Sequence, residues 1–272
     1  MKRLLIACFL LAPLSVLAAG GEGIHLQSME PDLHDKASLQ RGLQTYMNYC
    51  MGCHSLKYQR YERTADDLGI PHDLFLSNLV FDKSLRIGAL MENSITTERA
   101  KSWFGAAPPD LTLVSRLRGG PDWIYTYMKT FYVDESRPLG VNNLVFPNVG
   151  MPHILMDLQG TQVKNECMEL PKIAANGGEM RDSLTSAPIT EKVCGEDILA
   201  RGYDPLTVVP GSGQLSAEEY DQLAYDLANF LHYVGDPSRL ERENLGVYVL
   251  FFLAFFFVFA YLLNREYWKD VH

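Results

Sequence analysis

The sequence predicts a mainly α-helical exported domain with loop insertions, held to a membrane by a single C-terminal helix. Three observations carry this expectation. Apolar residues recur at helical spacing near both ends of the central region, a charge-free run lies close to the C-terminus, and the N-terminus reads as a leader. About 225 residues separate leader from apolar run, enough for one domain with a full core.

Met1-Lys2-Arg3 precedes an apolar stretch from Leu4 to Leu17, and Ala18, Ala19 and Gly20 follow. A basic start, a short apolar core and a small-residue exit describe a secretory signal peptide over 1–19, cut after Ala18 or Ala19. Cys8 is expected to leave with it. Leu5-Ile6-Ala7-Cys8 loosely matches a lipoprotein site, but the apolar run before Cys8 is too short and continues past it.

Residues 245–263, LGVYVLFFLAFFFVFAYLL, contain no charged side chain. At ~1.5 Å per residue the run reaches ~28 Å, close to the ~30 Å hydrocarbon core of a bilayer. Six phenylalanines without a polar face suit lipid better than a soluble core. Tyr267 and Trp268 sit where an interfacial aromatic belt belongs. Arg239 and Arg242 before the run are matched by Arg265 and Lys269 after it, so local charge does not orient the span. The exported N-terminus does, placing 20–244 outside and the 264–272 tail in the cytoplasm.

Loss of Lys2 and Arg3 with the leader lowers the basic count from 24 to 22 against 33 acidic residues, taking the formal charge from −9 to −11. That excludes the basic stripes of nucleic-acid binding. It permits steering of a basic protein partner, and it serves solubility equally well.

Cys50-Met51-Gly52-Cys53-His54 is a C-x-x-C-H site, the pattern for covalent attachment of a c-type haem. Two thiols three residues apart each add to one porphyrin vinyl group, and the histidine supplies a nitrogen ligand. Leu39, Leu43, Tyr46, Met47 and Cys50 recur at helical spacing, so a helix is expected over about 36–53. Cys50 then faces Cys53 and His54 at i+3 and i+4. A thioredoxin-like pair expects a preceding strand, and a zinc site needs a second close Cys or His pair. Neither follows. One motif means one covalently bound haem c.

Short helices are expected near 73–80 and 95–103. Gly105 to Asp110, with Pro108-Pro109, forms a stiff loop, and Asp110 caps a helix over about 111–118, stopped by Gly119-Gly120. Another helix is expected over 121–132, then extended loop over 133–160. Residues 161–213, polar and interrupted by Gly177-Gly178 and Gly211-Ser212-Gly213, read as an insertion. A strong helix begins at Ser216, boxed by Glu219, with the stripe Leu223, Leu227, Phe230, Leu231 and Val234. Two such helices crossing, with haem between them and a loop bearing a second ligand, make a cytochrome c architecture.

Methionine opposite histidine raises a haem's reduction potential. Of ten methionines, Met1 leaves with the leader, and Met47 and Met51 flank the motif too closely to reach the far face. Met151 in Phe146-Pro147-Asn148-Val149-Gly150-Met151-Pro152-His153 fits: Gly150 allows close backbone approach, and Pro152 biases Met151 towards an extended conformation. Met91, Met128, Met156 and His153 remain alternatives, the last giving a lower-potential bis-histidine site.

With these features in hand, the chain resembles the cytochrome c1 family of bacterial type, haem subunits of the ubiquinol–cytochrome c reductase (cytochrome b–c1) complex. The resemblance rests on Arg41-Gly42 through Cys50-Met51-Gly52-Cys53-His54-Ser55-Leu56, Arg60-Tyr61, Asp67-Leu68-Gly69-Ile70, Pro108-Pro109-Asp110-Leu111, Arg116-Leu117-Arg118-Gly119-Gly120 and Gly150-Met151-Pro152-His153. The late amphipathic helix and C-terminal anchor complete it.

The resemblance implies thioethers at Cys50 and Cys53, His54 as proximal and Met151 as distal ligand. It implies that Arg118, and an aromatic residue at Trp123, meet a haem propionate. It also implies that Pro108 or Pro109 offers a carbonyl to the second nitrogen of His54. Cys167 and Cys194, in an exported region where some relatives carry a bridge, are expected to form a disulfide worth roughly 3–4 kcal/mol. The implied partners are a cytochrome b subunit, a Rieske iron–sulfur donor, a soluble c-type cytochrome acceptor and the membrane, in a dimeric complex at the bacterial inner membrane with the haem domain periplasmic. The chain is then an electron-transfer subunit with no catalytic residue of its own. Rival readings are another anchored monohaem cytochrome, such as an oxidase subunit or free shuttle, and a haem enzyme or gas sensor with an open sixth position. Glu98 and Asp110 read as caps and solvated surface.

Overall fold

A computed structural model describes residues 25–174 and 177–269. The leader expected over 1–19, with Cys8, lies outside the described residues. α1 (Lys36–Thr45) continues into a π-helical turn over Tyr46–Cys50. β1 (Leu56–Arg60), α2 (Tyr61–Leu68), α3 (His72–Asn78), β2 (Leu90–Met91) and α4 (Thr97–Phe104) follow. Next come α5 (Val114–Leu117), α6 (Pro121–Lys129), β3 (Phe131–Val133), β4 (Val141–Asn143) and α7 (Met156–Gln159). The insertion holds β5 (Gln162–Lys164), β6 (Cys167–Pro171), β7 (Thr190–Cys194), α8 (Glu196–Ala200) and β8 (Leu206–Val208). α9 (Ala217–Val234) and α10 (Arg239–Tyr267) close the chain. The described strands form antiparallel pairs: β1–β2, β3–β4, β5–β8 and β6–β7.

The main core forms where α1 crosses α9. Gly42 sits at the crossing: a Cβ there would lie 2.0 Å from the Asp226 carbonyl oxygen and 2.6 Å from Phe230 Cβ. Around it Leu39, Leu43 and Tyr46 pack with Leu227, Phe230 and Leu231, all buried, and the Tyr46 and Phe230 rings lie 5.9 Å apart. Arg41 grips the buried Asp226 carboxylate with two bonds of 2.6 and 3.0 Å. α9 starts as its sequence predicts: Glu219 N donates to Ser216 Oγ at 3.2 Å, and Ser216 N donates to Glu219 Oε2 at 2.9 Å. Such a cap contributes about 1 kcal/mol.

The structure corrects several expected elements. The first helix does not run α-helically to residue 53. Its ladder widens where Met51 N bonds Tyr46 O (2.9 Å), and Cys53 N and His54 N both bond the Cys50 carbonyl (3.0 and 2.8 Å). This tight turn brings the His54 carbonyl onto the Tyr46 hydroxyl at 2.7 Å. The helix expected over 111–118 shrinks to α5, because Asp110 does not cap it. Its carboxylate accepts from Lys57 N (2.8 Å) and Thr112 N (3.0 Å), tying the segment to β1. The helix expected over 121–132 ends at Lys129, where the aromatic and β-branched run Phe131–Val133 pairs with β4. The 133–160 stretch is therefore not uniformly extended, and 161–213 contains paired strands.

Cys167 and Cys194 oppose each other across the β6–β7 register and are disulfide-bonded. α10 has 29 residues, unburied in its apolar part, whose mean hydropathy is 2.5. It includes 245–263 and extends beyond it at both ends.

Candidate haem site

The attachment motif stands at the mouth of a cleft lined by Cys53, Ser55, Asn93, Ile95, Pro108 and Asp110. Both thiols of the motif are free, Cys50 buried and Cys53 exposed. Burial, reinforced by Cys53, pushes the Cys50 thiol up to about 12. His54 Nδ1 lies 2.7 Å from the Pro109 carbonyl. A carbonyl only accepts, so Nδ1 carries the proton and Nε2 is left with its lone pair. Burial holds the imidazole below its ordinary value, against the opposing pull of the Pro109 carbonyl and Asp110, so the ring is neutral. Pro109 supplies this oxygen, while Pro108 lines the cleft. Leu111 N to the Ser55 carbonyl (3.0 Å) and Lys57 N to Asp110 (2.8 Å) zip the motif onto the proline loop.

A second group of side chains gathers along α6 and the loop after β4. The Arg118 guanidinium lies between two aromatic faces, 5.3 Å from the Trp123 ring centre and 5.2 Å from that of Phe146. Among the described residues no carboxylate pairs with it. Trp123 stacks on Tyr127 (4.8 Å, 12°), and Tyr127 meets Phe131 edge-on (5.0 Å, 71°). Met151 is half-buried, packed among Tyr127, Phe131, Val149 and Met156. Its Sδ lies 3.5 Å from the Tyr127 hydroxyl. Burial drives the Tyr127 phenol well above its ordinary value, and Arg118 opposes this weakly.

The alternatives to Met151 have other surroundings. Met91 and Met128 belong to the main core, with Met91 Sδ 3.5 Å from Thr64 Oγ1. Met156 shares the Met151 cluster. His153 is buried, stacked on Phe131 at 4.7 Å, with Nε2 2.6 Å from Gln159 Oε1. Burial lowers it to about 4, despite Gln159.

Sequence reasoning missed Tyr127, Phe146 and Asn143. Trp123, Tyr127 and Phe131 lie four residues apart, an aromatic stripe readable in advance. Asn143 gives no such signal. Its Oδ1 accepts from Val145 N (2.9 Å) and Phe146 N (3.1 Å), and its Nδ2 donates to the Tyr127 carbonyl (2.8 Å). Asn148, rather than Gly150, takes left-handed backbone in this loop (φ +62°), its N–H held by Asn142 Oδ1 at 2.8 Å.

Fold and site together define a class: a mainly α c-type cytochrome domain on a C-terminal apolar helix. The Cytochrome C1 family model matches residues 28–77 and 215–271. A cytochrome c1 from Allochromatium vinosum is 49% identical over 273 residues, covering the whole of both chains. The ammonia monooxygenase gamma subunit of Nitrosomonas europaea is 36% identical, covering 100% of this chain and 99% of its own. A cytochrome c1 from Rhodobacter capsulatus is 24% identical, covering 98% and 97%. The chain belongs to the cytochrome c1 family, of bacterial type. Membership implies a c-type haem and a single-pass membrane-anchored electron-transfer subunit. The residues fit that cofactor. Two free thiols precede an imidazole whose Nδ1 is taken by the Pro109 carbonyl, and a guanidinium that pairs with no carboxylate among the described residues stands beside exposed Phe146.

Proposed function

We propose that this chain is the membrane-anchored monohaem cytochrome of a ubiquinol–cytochrome c reductase, passing electrons from a Rieske iron–sulfur protein to a soluble c-type cytochrome. The observation that carries the reading is the neutral His54 imidazole, oriented by the Pro109 carbonyl and directly following two free thiols in the chain. The full-length match at 49% identity supports the same complex.

Cys50 and Cys53 form the thioethers that hold one haem c, which supplies a one-electron couple when bound. His54 Nε2 and the Met151 thioether would hold its iron. The Pro109 bond fixes the His54 tautomer and ring angle, so the ligand is placed before the cofactor arrives. Arg118, held over the Trp123 and Phe146 rings, would receive a propionate through its fork. Cys50 and Met51 of the motif are buried within the same core that α1 and α9 form.

Residues 20–244 form the periplasmic domain, 161–213 its insertion, and 245–263 the anchor in the bacterial inner membrane. The anchor packs against cytochrome b, the Rieske protein docks at the haem edge, and the complex is dimeric. A reduced-minus-oxidised spectrum of the membranes, with subunit identification of the purified complex, tests this. One c-type band and co-purification with cytochrome b and a Rieske protein are expected. Their absence overturns the reading.

A second reading follows from the 36% relative, whose name places it in a monooxygenase. On that reading the chain serves as the cytochrome subunit of a different membrane complex. Co-purification with monooxygenase subunits in place of cytochrome b would favour it.

A further inference from the structure

The Tyr127 hydroxyl has one hydrogen-bond partner among the described residues, the Met151 sulfur at 3.5 Å. This contact is built rather than casual. The ring is held on one side by the Trp123 stack and on the other by the Phe131 edge. Its swing is thereby confined, and only the position of the hydroxyl along Met151 remains to be set. The same side chain ties both partners of the contact: Asn143, 1% exposed, donates to the Tyr127 carbonyl and accepts from Val145 N and Phe146 N at the start of the loop leading to Met151. Arg137 donates two bonds to that loop, Nη1 to Asn148 Oδ1 (3.2 Å) and Nη2 to the Asn148 carbonyl (3.0 Å). Tyr127 and the Met151 loop are therefore tied through Asn143.

We infer that Tyr127 is a positioning residue for the axial donor, orienting the Met151 thioether and raising the reduction potential of the haem it binds. This rests on the reading of Met151 as a ligand. A thioether sulfur has two lone pairs, so one can face the metal while the other accepts the phenol proton. A donated hydrogen bond withdraws electron density from the sulfur. A poorer sulfur donor stabilises the oxidised metal less than the reduced one, so the potential rises. The bond also leaves the sulfur one rotamer in which its remaining lone pair is free.

The test uses the haem-loaded full chain and three substitutions. Tyr127→Phe keeps the stacked ring and removes the hydroxyl. Tyr220→Phe removes a buried phenol that donates to the Met128 carbonyl (2.8 Å) in the neighbouring core, and controls for a merely structural loss. Met151→Leu tests the underlying ligand reading. Each is followed by redox titration and by the long-wavelength sulfur-to-iron charge-transfer band of the oxidised protein. Tyr127→Phe is expected to retain the band at a shifted position. It is also expected to move the redox equilibrium about threefold towards the oxidised form, a fraction of one neutral hydrogen bond. Tyr220→Phe is expected to lower thermal stability while leaving band and potential in place. If Tyr127→Phe changes neither, or Tyr220→Phe changes both equally, the inference fails although Met151→Leu still abolishes the band. If Met151→Leu leaves the band and potential intact, the ligand reading fails and takes this inference with it.

Discussion

The α1–α9 crossing and the insertion over 161–213 hold together by different means. At the crossing, helix backbones touch through Gly42, large side chains are fully buried, and the ion pair Arg41–Asp226 closes the edge. In the insertion, Leu170, Val193 and Ile198 make a small separate core with Met168 and Tyr203, and a disulfide spans the strand pair. The difference shows which region carries the haem motif. It continues directly from α1, and its turn is pinned by Tyr46, whose ring packs on Phe230 of α9. The insertion carries none of the haem-site side chains, so covalent closure reinforces a small core there without touching the chemistry.

The largest test of this contrast is Gly42→Val. The added carbons would fall within 2.0 Å of a backbone oxygen, which cannot rotate away. Overpacking of this kind is expected to cost more than about 3 kcal/mol and to prevent stable haem incorporation. Haem stain against total protein, with circular dichroism of any purified chain, measures both. A variant that loads haem normally breaks the claim that the crossing supports the site.

The converse test removes the bridge with Cys167→Ser and Cys194→Ser together. The chain-entropy term for a closure across 27 residues predicts a loss of about 3.5 kcal/mol, confined to the insertion. Hydrogen exchange is expected to quicken across 161–213, with the haem spectrum and potential of the parent. A shifted potential would show that the two regions are coupled.

Much of this contrast was legible in the sequence, and the illegible part has physical causes. The two amphipathic helices, the Ser216–Glu219 box and the charge-free run are local patterns, and the structure holds all three. Gly42 reads locally as a poor helix residue costing about 1 kcal/mol. Its purpose emerges only when Asp226, far along the chain, is placed against it. The proline pair was visible, but the choice of the Pro109 carbonyl depends on how residues 109–112 zip onto residues 54–58. The strands of 161–213 were missed because they are short and polar on at least one face, so alternation was too weak to register.

Within the site half, Asn143→Leu sharpens the comparison on a finer scale. The substitution keeps the branch at Cγ in a somewhat larger side chain, and leaves the N–H groups of Val145 and Phe146 without their acceptor. About 2 kcal/mol of stability is expected to be lost. Because Asn143 also ties the Tyr127 backbone, the redox titration should broaden or shift along with the melting curve. A melt that falls while the titration stays sharp would separate the loop's stability from the site's geometry.

The smallest expected effect lies where the haem half joins the membrane helix. His232 of α9 accepts from Arg239 at Nε2 (3.0 Å), so its Nδ1 proton points at Ser115 Oγ (3.3 Å). Arg116 and Arg242 both pair with Asp236 beside it, at 2.6 Å each. Burial lowers His232 first, Arg239 and Arg116 lower it further, and Asp236 only partly opposes them. The folded chain therefore keeps the ring neutral at a pH where the unfolded chain, near its ordinary value of about 6.5, takes up a proton. Stability is full above that value and is lost as pH falls through it towards the lowered folded value. Denaturation of the detergent-solubilised chain at a series of pH values should show this slope, and His232→Gln should flatten it. Ser115 lies on α5, just before Arg118, so acid loosening of this joint should reach the proposed propionate site before it reaches the insertion. Equal loosening of both regions, read by hydrogen exchange, would mean that the joint supports neither one in particular.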